Sequence, residues 1–210
     1  YKEVRKALLN AGGKYQRNSF IFPSDAKPFI NRLMNGESVN IKKEFQFFAT
    51  PSKLAKRIVK NINFFEGAKV GEFSAGQGAF LDELPKDLDL KLTVVELMKE
   101  NCSVLGSKGY EPKNEDFLQN DYGYHDIIIG NPPFNKNQDV KHFMHMYEHL
   151  IEGGTMSVIM SPHWTFANER ICVEFREFLN DKGATWEEIE AGEFKESGTN
   201  IKTVLITLNN

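Results

Sequence analysis

The sequence predicts an α/β fold with a mostly parallel sheet, and three stretches of the chain predict it. The first is His125-Asp126-Ile127-Ile128-Ile129-Gly130, an apolar run rich in β-branched residues that stops at Asn131-Pro132-Pro133-Phe134. Such a run suits a central strand buried on both faces, and paired prolines cannot continue it. The second is Ala68 to Phe80, where a short strand enters a loop of small residues, Ser74-Ala75-Gly76-Gln77-Gly78, and a helix is expected to follow. The third is the alternation elsewhere. Strand patterns at Leu92–Glu96, Thr155–Ser161 and around Trp186–Glu190 are interleaved with helical patterns at Gln138–Ile151, stopped by Gly153-Gly154, and at Asn168–Asp181. Strands alternating with helices read as βαβ units, whose ligands gather at the carboxyl ends of the strands.

With 210 residues the chain fits one main domain, residues 41–210, and a small appendage, residues 1–40. A hydrophobic content of 40% with 26% charged residues describes an ordinary globular protein. No apolar run is long enough to cross a membrane and no signal peptide opens the chain, so no membrane partner is expected. Cys102 and Cys172 lie far apart without metal-like spacing, which implies a reducing, cytoplasmic compartment. The net charge of −3 hides an asymmetry. Residues 1–60 carry 13 Lys/Arg against 4 Asp/Glu, whereas residues 61–210 carry 13 against 25. A basic segment ahead of an acidic domain fits a nucleic-acid-binding appendage, and a solvated surface without a partner is its bland alternative.

In that basic segment residues 1–10 pattern as an amphipathic helix closed by Ala11-Gly12-Gly13. Lys14 to Pro23 reads as a hairpin around Arg17-Asn18-Ser19 with Tyr15, Phe20 and Phe22 as its local core, and a second helix runs from about Asp25 to Asn35. Lys14 and Arg17 are candidates for phosphate contact, as is Lys136 beyond the central motif. The run Phe48-Ala49-Thr50-Pro51 leads into a helix with Leu54, Ile58 and Val59 inward, capped by Thr50 or Ser52.

The central turn carries the chemistry. Two prolines fix their own φ and restrict the residues before them, so the Asn131 amide and the Pro132 carbonyl are held in one arrangement beside the flat face of Phe134. That suits a planar group bearing an NH2, with its ring stacked, its protons accepted by two oxygens and its lone pair free to attack. The glycine loop allows a flat ligand to approach the backbone and alone would equally suit a nicotinamide nucleotide, although the three-glycine fingerprint is absent. Glu96 ends the second strand about 20 residues later, where an acid accepts both hydroxyls of an adenosine ribose.

Residues 45–210 resemble the S-adenosylmethionine-dependent amino-group methyltransferases, in particular the DNA adenine-N6 methyltransferases. The family's Asp/Asn/Ser-Pro-Pro-aromatic motif is matched by Asn131, Pro132, Pro133 and Phe134, which the resemblance makes the catalytic set. Its Asp-Pro-x-x-Gly-x-Gly motif is matched with departures, Glu72 and Phe73 standing for the acid and the proline. The resemblance implies a Rossmann-like class I methyltransferase sheet of seven strands whose last strand is antiparallel. It implies S-adenosyl-L-methionine as cofactor, held by Phe48 and Thr50 near its methionine end, by Glu72, Ser74, Gly76 and Gly78, by Glu96, by Asp116 and Phe117 at its adenine, and by Asn131. The cofactor residues precede the catalytic motif, an order found in one class of these enzymes. The implied substrate is double-stranded DNA with its target adenine flipped out. Because no target-recognition domain is expected after the final strand, specificity is assigned to the N-terminal unit or to a separate subunit. The polar loop Phe194-Lys195-Glu196-Ser197-Gly198-Thr199-Asn200 stands next to the target pocket in this scheme. Adenine in RNA, a protein glutamine amide, and a catalytically silent interaction subunit remain as alternatives. His142, His145 and His149 share a helix face, but no acid or cysteine stands ready to complete a zinc shell, so no metal is expected.

Overall fold

The main sheet of the computed structural model, which describes residues 2–22, 25–37, 49–194 and 202–210, contains six strands among those residues. They are β3 (Lys69–Glu72), β4 (Lys91–Val94), β5 (His125–Gly130), β6 (Leu150–Met160), β7 (Thr185–Ile189) and β8 (Thr203–Asn209), in the spatial order β4-β3-β5-β6-β8-β7. The pairs β3/β4, β3/β5 and β5/β6 are parallel, and only β8 is reversed, inserted antiparallel between β6 and β7. The expected antiparallel last strand is therefore present. Where a seventh strand was expected, the chain makes a single parallel bridge between Val95 and Lys113. The stretch Glu111-Pro112-Lys113-Asn114-Glu115-Asp116 has no apolar residue to bury and a proline that cannot donate, so nothing sustains a longer edge strand.

Burial on both faces makes β5 the centre of the molecule. Ile127 and Ile129 point into a cluster with Leu54, Ile58 and Val59 of α3 (Ser52–Lys60). Ile128 points the other way, into a cluster with Phe143 and Met146 of α5 (Gln138–Glu148). This is the period of two of a strand covered on each side. Burying each isoleucine contributes roughly 1.5–3 kcal/mol.

Two local expectations are corrected. The glycine loop is not followed by an α-helix but by a single 3-10 turn, Leu81–Glu83, because Pro85 lacks an N–H and disfavours helical geometry at Leu84. Gly153-Gly154 does not stop a helix. The helix ends at Glu148, and the two glycines form an irregularity inside β6, where Gly153 adopts φ 77 and a Cβ at Gly154 would meet Leu150 Cδ1 at 2.8 Å and the Asp126 carbonyl at 3.0 Å. The chain bulges there and resumes its pairing with β5 at Thr155.

The N-terminal unit consists of α1 (Lys2–Asn10), the hairpin β1 (Lys14–Gln16) and β2 (Ser19–Ile21), and α2 (Lys27–Met34). Arg17 and Asn18 form its two-residue turn with φ 48 and 61. Ala11 and Phe29 bury a small cluster against Met98, which begins α4 (Lys99–Ser107). The Gln77 side chain accepts from Asp25 N at 2.8 Å and donates to Asp25 O at 3.0 Å, and Arg32 pairs with Glu100 at 2.8 Å. The short helix α6 (His163–Phe166) and the longer α7 (Arg170–Asp181) complete the described elements. No helix among the described residues is long and apolar enough to cross a membrane.

Gly71 shows how tightly the sheet is covered. A Cβ there would lie 2.5 Å from the Phe73 ring, which folds back over the strand. Gly71→Ala is expected to lose about 1–3 kcal/mol through overpacking, measured by urea denaturation. Gly71→Ala combined with Phe73→Leu should recover part of that loss, and strict additivity would show that the two residues do not compete for space.

Candidate active site

Chain order reverses between β3 and β5, the neighbours from which the sheet grows in opposite directions, so the crevice at their carboxyl ends is a topological switch point. Glu72 closes β3 and is in register with Ile129 of β5, two residues before Asn131. Asn131 is half-buried, and its Nδ2 donates to Thr50 Oγ1 at 3.0 Å across 81 residues of sequence. That bond ties the amide to the segment ahead of α3. It also corrects the expected helix cap. The N-cap of α3 is Pro51 with no side-chain cap bond, because Thr50 is engaged by Asn131 and Ser52 Oγ donates to Glu83 Oε1 at 2.9 Å.

Pro132 is buried, Pro133 and Phe134 are half-buried, and Phe134 packs against the cluster beneath α3. The turn that follows is strained. Lys136 and Asn137 adopt φ 55 and 57, a left-handed conformation that asparagine tolerates better than lysine and that costs on the order of 1–3 kcal/mol per residue. Asp139, buried at the start of α5, holds the far end of this turn in place. Its Oδ2 accepts from Ser161 N at 2.9 Å and its Oδ1 from Val140 N at 3.0 Å, while burial pushes its carboxyl above the usual range. Sequence reasoning missed Asp139, although an acid in the first turn of a helix directly after the motif was a usable signal.

Across the crevice the glycine loop meets Glu96. Gly76 and Gly78 take φ 55 and 83, and Gly76 N donates to Glu96 Oε2 at 2.7 Å while Met98 N donates to Glu96 Oε1 at 2.7 Å. Burial pushes the Glu96 carboxyl up to about 7, with the two backbone donors pulling against it. Ser74 Oγ donates to the neighbouring Phe73 carbonyl at 2.8 Å. Glu72 is 2% exposed, and its Oε2 has no hydrogen-bond partner among the described residues. Burial, reinforced by Glu96 and Asp82, raises its carboxyl well above the usual range. A buried acceptor without a donor is costly unless a ligand supplies one.

The remaining expected contacts are arranged differently. Asp116 Oδ1 accepts from Leu118 N at 3.0 Å and so caps the turn Phe117–Gln119. Phe117 is 2% exposed and lies stacked on Phe73, centroids 4.4 Å apart and planes 6° from parallel. Stacking a ligand on Phe117 therefore requires Phe73 to move. His142, His145 and His149 do not form a ligand set. They ring Phe117 at 5.8, 4.6 and 5.7 Å, and the Nδ1 atoms of His142 and His149 bond the carbonyls of Gln138 and His145. Lys136 is exposed on the turn beside Asn131, Arg17 is exposed at the tip of the N-terminal hairpin, and Lys14 is half-buried on it. Phe48 and the loop from Lys195 to Asn200 lie outside the described residues.

No protein-family model matches this chain, and no curated protein matches its sequence. Solved structures do match its fold. The type I restriction-modification methyltransferase subunit from Streptococcus thermophilus superposes with TM-score 0.64 at 19% identity, covering 78% of this chain and 45% of that one. The type I restriction enzyme M protein M.EcoKI gives 0.65 at 17% identity, covering 100% and 54%. A proposed RNA methyltransferase from Pyrococcus horikoshii gives 0.54 at 19% identity, covering 79% and 87%. The chain thus spans about half the length of the two type I subunits. At these identities the likeness establishes the fold, a Rossmann-like sheet shared with methyltransferases.

The buried carboxylates make stability depend on pH. The folded-state pKa of Glu96 lies above the ordinary glutamate value of 4.5, so the stability linked to it is fully present below about pH 4.5 and is lost as pH rises through about 7. Glu72 acts in the same direction. Thermal melts from about pH 5 to about pH 8 should show a smaller fall in Tm for Glu96→Gln and for Glu72→Gln than for the unmodified chain. Parallel curves would mean that neither carboxyl takes up a proton in the folded state.

Proposed function

We propose that this chain transfers a methyl group from S-adenosylmethionine to an exocyclic amino group, with adenine N6 in DNA as the substrate. The observation that carries this reading is the hydrogen bond between Asn131 and Thr50, which joins two motifs 81 residues apart. The residues present fit the cofactor. Glu72 Oε2 is a buried acceptor awaiting a cationic donor, and the Glu96 carboxylate lies against the glycine loop with both oxygens already oriented by backbone N–H groups. When bound, S-adenosylmethionine supplies a methyl group on a positively charged sulfur.

The rest falls to the chain. Asn131 Oδ1 and the Pro132 carbonyl would accept the two amine hydrogens and aim the nitrogen lone pair, so catalysis is mainly positioning. Phe134 would stack on the base and return roughly 1–3 kcal/mol of the few kcal/mol spent on flipping it out of a duplex. Lys14, Arg17 and Lys136 would meet phosphates, a sequence-independent contribution that weakens with salt. The reading is supported by the fold shared with methyltransferase subunits of type I restriction-modification systems, and by analogy with those subunits a separate partner would supply target specificity. Likeness to the Pyrococcus horikoshii protein, 87% of which is covered, favours one second reading, adenine-N6 methylation of RNA.

The test is to incubate the chain with the cofactor and either mixed-sequence duplex DNA or structured RNA, digest to nucleosides and quantify N6-methyladenine by mass spectrometry. Asn131→Ala should lower transfer by about a hundredfold or more while calorimetry shows cofactor binding retained. Thr50→Val should lower turnover more than it raises KM, because it removes one of the bonds that hold the amide. Methylated RNA without methylated DNA would select the second reading. Cofactor binding and transfer lost together in Asn131→Ala would remove Asn131 from the amine-orienting role.

A further inference from the structure

The chain leaving β6 makes a corner that the methyl-transfer reading does not use. Ser161-Pro162 turns into α6, and Ala167-Asn168-Glu169 turns again into α7. Three potential metal ligands converge there, although they are spread over ten positions of sequence. His163 Nε2 lies 2.9 Å from Glu169 Oε1, and one ligand atom from each of His163, Glu169 and Cys172 lies within 4.8 Å of the other two. The corner is held rigid from beneath. Arg176 Nη1 donates to the carbonyls of Trp164 and Ala167, at 2.5 and 2.9 Å, and the Trp164 indole is buried edge-on against Phe175 at 5.3 Å. Side chains mounted on such a frame need little reorganisation to bind.

We propose that His163, Glu169 and Cys172 form a binding site for a zinc-class divalent cation. Thiolate, imidazole and carboxylate are a ligand set for a borderline-soft ion and a poor one for magnesium or calcium, which take oxygen. The set carries two negative charges when the thiol is deprotonated, matching a dication. Tetrahedral bonds of about 2.3 Å to sulfur and about 2.0–2.2 Å to nitrogen and oxygen place ligand atoms about 3.3–3.8 Å apart. The required adjustment, a slight separation of Nε2 from Oε1 and an approach of both to Sγ, is small and falls to His163 and Glu169, whose side chains are 45% and 52% exposed and turn without disturbing the core. Cys172 is buried and supplies the fixed point. Binding forms the sulfur–metal bond and releases the Cys172 thiol proton to solvent, and a water completes the fourth position.

The location gives the ion a structural task. Cys172 Sγ lies 3.7 Å from Asn137 Oδ1, and Asn137 is one of the two left-handed residues in the turn after Asn131-Pro132-Pro133-Phe134. A cation at this corner replaces the thiol proton that Cys172 donates to Asn137, so binding is coupled to the rim of the crevice, where Asn137 must turn its amide N–H toward the thiolate. The proposal stands independently of the reaction carried out in that crevice.

The test uses the full chain, reduced and freed of metal by chelation, titrated with Co2+ and then with Zn2+. We expect one equivalent of Co2+ to bind with visible bands of tetrahedral geometry and a near-ultraviolet thiolate-to-cobalt absorption, both abolished by Zn2+. The absorption should persist in Cys102→Ser and vanish in Cys172→Ser. Glu169→Gln alters an exposed side chain and should still fold, with zinc affinity lowered by about tenfold or more. Absence of the thiolate absorption, its dependence on Cys102, or unchanged zinc affinity in Glu169→Gln would each overturn the proposal.

Discussion

Burial of β5 on both faces is the constraint on which the remaining structure depends. Ile127, Ile128 and Ile129 face two different apolar clusters, so the strand can neither slip by one residue nor extend past Pro132 without exposing or burying the wrong atoms. Register is thereby fixed for both parallel neighbours, and Glu72 arrives at the carboxyl edge two residues short of the level of Asn131. The crevice is a consequence of where this one strand must stop. Its opposite rim is drawn in by Thr50, which gives up capping α3 in order to hold the Asn131 amide.

The crevice concentrates cost as well as chemistry. Two glutamates, 2% and 7% exposed, share its floor, and the charge of Glu96 adds to burial in disfavouring ionisation of Glu72. Glu96 offsets part of its burial through the Gly76 and Met98 N–H groups, whereas one oxygen of Glu72 has no such compensation among the described residues. Left-handed Lys136 and Asn137 add backbone strain at the same edge. Evolved folds retain such features where a ligand relieves them or where the strained geometry is itself needed. The Asn137 side chain, in contact with Cys172, links that strain to the α6–α7 corner.

Phe73 illustrates how one side chain organises its surroundings. Its ring fits only because Gly71 leaves room beneath it, and it covers Phe117. Around that stack His142, His145, His149 and Tyr122 build an aromatic wall. The helical spacing of the histidines reflects a packing face, since the Nδ1 atoms of His142 and His149 bond helix carbonyls and His145 bonds Glu148 and the Asn120 carbonyl.

The sequence by itself determined the α/β class, the strand and stop at residues 125–134, the glycine loop, the acid at Glu96 and the hairpin at Arg17-Asn18. Each of these rests on local rules, namely side-chain period, proline geometry and glycine conformation. Only the tertiary structure decided the rest. The count of six strands among the described residues, the glycine bulge in β6 and the 3-10 turn after the loop depended on whether neighbours offered pairing and burial. The bond from Asn131 to Thr50, the stack of Phe73 on Phe117 and the convergence of His163, Glu169 and Cys172 depend on distances between residues that no local rule brings together. Side-chain identity states what a residue is able to bind; packing decides which partner reaches it first.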